Sequence, residues 1–62
     1  MNKVVLTTEE TAAALSVSER KLEKLLAEGK FVQPAHFGDL PRWRVADVLA
    51  WIDKNLVPGA QI

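Results

Sequence analysis

Arg20, Lys21 and Lys24 stand within one stretch of the chain, and Lys30, Arg42 and Arg44 follow before the sequence turns acidic again. Ammonium and guanidinium groups offer only donors, so a cluster of them recognises carboxylates or phosphates. Arginine adds a planar fork that can pair with two acceptors at once, such as O6 and N7 of guanine. The clustering is a matter of position rather than abundance, because the formal net charge is zero. Residues 1–19 set Lys3 against Glu9, Glu10 and Glu19, a balance of −2. Residues 20–44 set Arg20, Lys21, Lys24, Lys30, Arg42 and Arg44 against Glu23, Glu28 and Asp39, a balance of +3. Residues 45–62 set Lys54 against Asp47 and Asp53, a balance of −1.

Other chemistries find little to work with. Glu9 and Glu10 are adjacent carboxylates, but no opposing acid, nucleophile or metal cluster accompanies them, so no catalysis is expected. There is no cysteine, and His36 as the single histidine does not make a zinc site. No glycine-rich loop is present to cradle a phosphate, and no cofactor or metal is expected. No apolar run approaches the roughly 20 residues of a membrane span, and no basic-then-apolar leader is read at the start, so a cytoplasmic protein is expected.

The elements that must carry the basic cluster follow from the pattern. At 62 residues the chain is one domain, near the lower limit for folding without disulfides or metals. We expect a domain over 1–56 and a short tail over 57–62, where Pro58-Gly59 reads as a stop. Val4-Val5-Leu6 is an apolar lead-in, either an edge strand or packing beneath the first helix. Thr7-Thr8-Glu9-Glu10 fits a capping box, with Thr7 and Glu10 satisfying each other's backbone N–H, and this gives the acidic pair a structural duty. A first helix over 8–15 places Thr11, Ala12 and Leu15 on one face, with small Ala12 allowing close approach of a second helix.

Ser16-Val17 breaks the helical run, and Ser18 reads as the N-cap of a second helix over 19–28 that stops at Gly29. Two short helices joined by so few residues fit a helix-turn-helix unit. With Leu22 taken as the core direction, Leu25 and Leu26 fall at about −60° and +40°. Arg20 and Lys24 then point away from the core, Lys21 lies on one flank, and Glu19 and Glu23 lie on the other. The face reads either as a solvated mixed-charge surface or as the part that enters a DNA groove, and the crowding of bases in the N-terminal half favours the groove.

Beyond Gly29, arms over 35–37 and 42–44 flank 38–41, where Gly38-Asp39 supplies turn chemistry, so a small β-hairpin is expected. Phe37 and Trp43 are expected inward and His36, Arg42 and Arg44 outward. Trp43 reads as a core filler whose indole N–H needs a partner. His36 reads as a solvated residue or as a phosphate contact. A last helix over 45–56 would bury Val45, Val48, Leu49, Ile52 and Leu56 and expose Asp47, Ala50 and Lys54. Trp51 on its flank either seals the core against the hairpin or Phe31, or meets a second copy. The fold class expected is mainly α: a winged helix-turn-helix with three helices and a small hairpin.

"LTTEETAAALSVSERKLEKLLAEGKFVQP" and the later "RWRVADVLAWI" together resemble the AlpA-like/excisionase group of small phage and mobile-element proteins, relatives of MerR-type winged-helix domains. The resemblance covers about residues 6–52 and rests on the order of its pieces: "LT-x-E-E", "LSVS", "L-x-x-EGKF" with a following proline, and "WR" before "AWI". Ala12, Ser16 and Leu22 sit at the small-residue, glycine and aliphatic offsets of helix-turn-helix sequences, with serine replacing the glycine. By the resemblance, Ser18 matches the recognition-helix cap, Lys24 a position usually basic, and Arg44 the basic residue after the hairpin tryptophan. The chain departs at Lys21, where threonine or serine is common, and at Glu23, where tyrosine or arginine is common. Asp39 and Leu40 likewise replace a glycine and a basic residue in a shortened hairpin turn.

The resemblance implies a DNA-binding protein acting as a recombination directionality factor or small transcriptional regulator in the bacterial nucleoid. Double-stranded DNA is the expected partner, with an integrase or recombinase and a homodimer or cooperative multimer as further expectations. The expected contacts are Ser18, Arg20, Lys21 and Lys24 in the major groove, and His36, Arg42 and Arg44 on backbone or minor groove. The alternative is a protein-interaction module on the same scaffold that binds an integrase, repressor or toxin. Neutral charge and Glu23 favour that alternative.

Overall fold

Where the first helix stops is decided by a single residue with an unusual backbone. The computed structural model describes residues 3–56, so the tail expected at 57–62 lies outside the described residues. In it the first helix, α1 (Thr8–Ala14), opens on the expected capping box. The Glu10 N–H donates to the Thr7 hydroxyl at 3.1 Å, and the Thr7 N–H donates to the Glu10 carboxylate at 3.0 Å. At its other end Ser16 adopts φ 58°, the left-handed region that costs an L-residue about 1–2 kcal/mol. That conformation lets the Ser16 N–H donate to the Ala13 carbonyl and the Val17 N–H to the Ala12 carbonyl, both at 3.0 Å. These two bonds make a Schellman ending that satisfies carbonyls the helix would otherwise leave open.

The second helix, α2 (Glu19–Ala27), starts two residues later, with the Ser18 hydroxyl accepting the Lys21 N–H at 3.1 Å. It ends in a second Schellman motif. Gly29, at φ 71°, donates to Leu26 at 3.1 Å, and Lys30 donates to Leu25 at 2.8 Å. Both helices are a little shorter than the spans expected, since the cap residues Leu15 and Glu28 lie just outside them.

The remaining elements are β1 (Val5–Leu6), β2 (Ala35–Phe37), β3 (Leu40–Arg44) and α3 (Val45–Asn55). The apolar lead-in is a strand after all. It pairs antiparallel with β3, Val5 opposite Arg44 and Leu6 opposite Trp43, which gives a three-stranded sheet of order β1-β3-β2. The fold is therefore three helices with a three-stranded antiparallel sheet, mixed in class rather than mainly α with an isolated hairpin. The hairpin turn is also tighter than expected. Phe37 pairs with Leu40, so Gly38 and Asp39 alone make the loop, and Gly38 at φ 68° supplies the positive φ it needs. Pro41 belongs to β3, a central strand that proline usually avoids. It is tolerated because β1 ends opposite Trp43, leaving no strand beside Pro41 on the side where its missing N–H would point.

The core is Ala12, Leu22, Phe31, Trp43 and Val48, with Leu22 wholly buried. Two indoles fasten the loop after α2 to the rest. Trp43 Nε1 donates to the Val32 carbonyl at 2.8 Å, and Trp51 Nε1 donates to the Lys30 carbonyl at 3.0 Å. Phe31 sits between them, edge-on to Trp51 with ring centres 4.9 Å apart. Trp51 thus seals the core against Phe31, as one of its two expected roles required. In α3 the expected stripe is only partly right: Leu49 and Leu56 are each 55% exposed. Trp51 pulls the buried face to its own side of Val48, which leaves Leu49 about 100° away from it, and Leu56 lies past the last helical residue. No helix among the described residues is long and apolar enough to cross a membrane.

Candidate functional site

The basic residues of α2 are placed by the packing of its opposite face. Leu22 is fully buried, and Leu25 and Leu26 are half-buried against the core, so the helix can rotate little about its axis. Arg20, Lys21 and Lys24 consequently stand in solvent, as do Glu19 and Glu23. The Ser18 hydroxyl oxygen accepts the Lys21 N–H, which leaves its O–H free to donate to a ligand.

The ion pairs lie elsewhere. Among the described residues they are Lys3–Glu10, Lys30–Glu28 at 3.5 Å and Arg44–Asp47 at 2.9 Å. Glu28 thus pairs with Lys30 rather than with Lys24, and Arg20 does not close on Glu23 despite the favourable spacing. The three α2 cations keep their charge uncompensated at contact distance. Glu10, by contrast, is held below its ordinary carboxylate range by the Lys3 ammonium and by the N–H it accepts from Thr7.

The hairpin residues fall on two different faces. Side chains alternate along a strand and match across a pair. The register Ala35–Arg42 and Phe37–Leu40 therefore puts Ala35, Phe37, Leu40 and Arg42 on one face, together with Arg44 and Val5. His36 opposite Pro41 belongs to the Trp43 face, beyond the helices, where it is exposed. Phe37 is not inward: it is 78% exposed, and the expectation that it points inward like Trp43 is corrected by strand parity. Counting from a buried Trp43 through a two-residue turn sends Phe37 to the outer face, so the signal was in the sequence once the turn length was known.

That outer face forms a groove of about 630 Å³ whose walls include Lys3, Val5, Phe37, Leu40, Arg42 and Arg44. No α2 side chain contributes to it. Arg44 is held by a two-pronged contact, Nε to Asp47 Oδ2 at 2.9 Å and Nη2 to Oδ1 at 3.2 Å. Arg42 donates from Nη1 to the Pro41 carbonyl at 2.6 Å and is otherwise uncommitted. The apolar members Val5, Phe37 and Leu40, and Asp47 as the partner of Arg44, are the residues sequence reasoning missed.

The seven expected contacts are thus divided. Ser18, Arg20, Lys21 and Lys24 come together on α2, Arg42 and Arg44 come together on the outer sheet face, and His36 lines the same groove as those two arginines although strand register turns its side chain to the other face. Among the described residues, no three of the histidine, aspartate and glutamate side chains gather as a metal cluster would require. Comparison with protein-family models, with curated proteins and with solved structures gives no match.

Proposed function

We infer that the chain is a DNA-binding module of the winged helix-turn-helix kind, in which the N-terminal half of α2 enters the major groove of a duplex. The observation that carries this reading is the exposure of Arg20, Lys21 and Lys24 on one helix, with no carboxylate among the described residues in ion-pairing distance of any of them. The pairs Arg20–Glu23 and Lys24–Glu28, worth about 0.2–0.5 kcal/mol each at this spacing, are open, so phosphates can reach the cations without displacing a carboxylate. The tight α1–α2 turn and the core contact of Leu22 support the same reading, because a reading head has to be held rigidly.

In this proposal Arg20 reads guanine through its fork, Lys21 and Lys24 neutralise phosphates, and the Ser18 hydroxyl donates to a backbone oxygen. One such helix reads few base pairs, so useful specificity comes from repeated sites or from two copies side by side. A role in excision or in transcriptional control of a mobile element is the biological setting that the resemblance supplies. The contact set rests on α2 alone, since Arg42 and Arg44 share their face with exposed apolar side chains rather than with the α2 ridge.

The test is an NMR titration of the full chain with a nonspecific duplex at low salt, followed by selection of binding sites from random duplexes. The expected shifts centre on residues 18–24. About two neutralised phosphates give a fall in log K of about 1.8 per tenfold rise in salt. Shifts that avoid 18–24 at every salt concentration would end the proposal.

A further inference from the structure

The outer face of the sheet has its own composition, separate from the α2 ridge. Phe37 is 78% exposed and Leu40 48% exposed, and they face each other across the two-residue turn. Val5 and Ala35 continue the apolar floor, and Lys3, Arg42 and Arg44 stand around it with Glu10 as the only carboxylate among the lining side chains. The lining therefore carries a formal balance of +2 in a chain whose net charge is zero. An exposed phenylalanine beside an exposed leucine has no role in folding that the core contacts record, and apolar patches rimmed by polar groups mark interaction sites.

We propose that this groove binds a short segment of another protein that carries apolar side chains and carboxylates together. Three features select that occupant. The apolar floor favours a ligand with side chains to bury, which a phosphate backbone lacks. Asp39 at the hairpin tip is exposed and would face the phosphates of any duplex laid along the arm. A second copy docked on the same face through a two-fold axis would bring together two linings that each carry a balance of +2, which is repulsive. A carboxylate-bearing peptide meets all three conditions. Its side chains cover Val5, Phe37 and Leu40, and its acid reaches Arg42, whose guanidinium makes no ion pair among the described residues, while Arg44 stays with Asp47.

The proposal is independent of DNA binding by α2, because the two surfaces share no residue. It is tested by selecting displayed random 12-residue peptides on the full chain, in parallel with selection on the Phe37→Ser/Leu40→Ser double variant. The best peptide is then synthesised with a fluorophore and followed by anisotropy. Circular dichroism melts confirm that the variants, altered at exposed Arg20, Phe37 and Leu40 and at half-buried Arg42, keep the fold. The expected result is enrichment of peptides with Leu, Ile or Phe near Asp or Glu on the parent chain only. Binding should fall at least tenfold with Arg42→Glu, fall with salt, and be unchanged by Arg20→Ala. Failure to enrich any peptide over the double variant overturns the proposal, as does enrichment without acidic residues. It is equally overturned if a duplex, and not the peptide, shifts the backbone resonances of Val5, Phe37 and Leu40, or if the chain dimerises through them.

Discussion

Ser16 offers a test in which one side chain is asked to do what glycine does better. Its backbone sits at φ 58° because α1 has to stop there and let α2 leave at once. An L-residue in that region costs about 1–2 kcal/mol. The glycine that removes this cost introduces extra freedom in the unfolded chain, worth about 0.5–1 kcal/mol. The difference predicts that Ser16→Gly stabilises the protein by about 0.5–1 kcal/mol. In a domain of this size each kcal/mol moves the melting midpoint by roughly 4–8 °C, so a gain of several degrees is expected. No hydrogen bond involves the Ser16 hydroxyl, so Ser16→Ala should fall within about 0.5 kcal/mol of the parent. Ser16→Val, branched at Cβ in a region such residues avoid, should be worse than either.

Gly29 is the mirror experiment. A Cβ there meets nothing within 4 Å, yet φ is +71°, so Gly29→Ala isolates the backbone cost at about 1 kcal/mol of destabilisation. Urea titrations of the four variants, read at constant slope, give the signs directly. If Ser16→Gly is destabilising while Gly29→Ala is also destabilising, then Ser16 is not left-handed in solution. The α1–α2 turn described above would then be wrong.

Several other consequences are cheaper to check. Trp43→Ala removes a buried indole and the bond to Val32, and a loss of about 3–5 kcal/mol leaves little or no folded protein by circular dichroism. Trp51→Phe keeps an aromatic edge on Phe31 but loses the donor to Lys30, and should cost about 0.5–1.5 kcal/mol in a urea titration. Phe37→Ser and Leu49→Gln should each change stability by no more than about 0.5 kcal/mol, and a large loss from either would mean that its side chain is buried after all. Glu10, depressed by Lys3 and by the Thr7 N–H, contributes stability that is fully present above its ordinary value of 4.5 and is lost as pH falls through its lower folded value. The urea midpoint should therefore drop as pH falls below 4.5, and Glu10→Gln should flatten that part of the curve.

Local rules carried the helical half of the fold. Thr7 with Glu10, Ser18 with Lys21, and Gly29 after Leu26 are contacts between near neighbours, so residue type and spacing determine them. The sheet was harder because its pairings span long stretches of chain. Nothing near Val5 announces Arg44 as its partner, and the turn length that sets the parity of Phe37 depends on Pro41 being accepted into a strand. Leu49 misled for a related reason. Helical spacing gave it the same claim to the core as Trp51, and only the position of Phe31 decides between the two sides of α3. For the candidate site, outward placement of Arg20 and Lys24 follows from Leu22 alone, whereas the failure of Glu23 and Glu28 to neutralise them does not follow from spacing.

The zero net charge weighs against the proposed role on DNA only as far as acids near the ridge repel phosphates. Glu23 lies about 100° around α2 from Lys24, which puts its carboxylate on the order of 10 Å from phosphates held by the ridge. At that distance in water the repulsion is about 0.4 kcal/mol per phosphate before screening. With a Debye length of about 8 Å in 0.15 M salt it falls to roughly 0.1 kcal/mol, and with about 30 Å in 0.01 M salt it stays near 0.3. Over about two phosphates the penalty is then close to 0.6 kcal/mol in dilute buffer and a third of that at physiological strength. Glu23→Gln should accordingly tighten nonspecific duplex binding about threefold at 0.01 M salt and less than twofold at 0.15 M, in an anisotropy titration. An equal gain at both strengths would mean that Glu23 touches the duplex. No gain at either would mean that the ridge does not meet phosphates at all, and the charge on α2 would then be ordinary solvated surface.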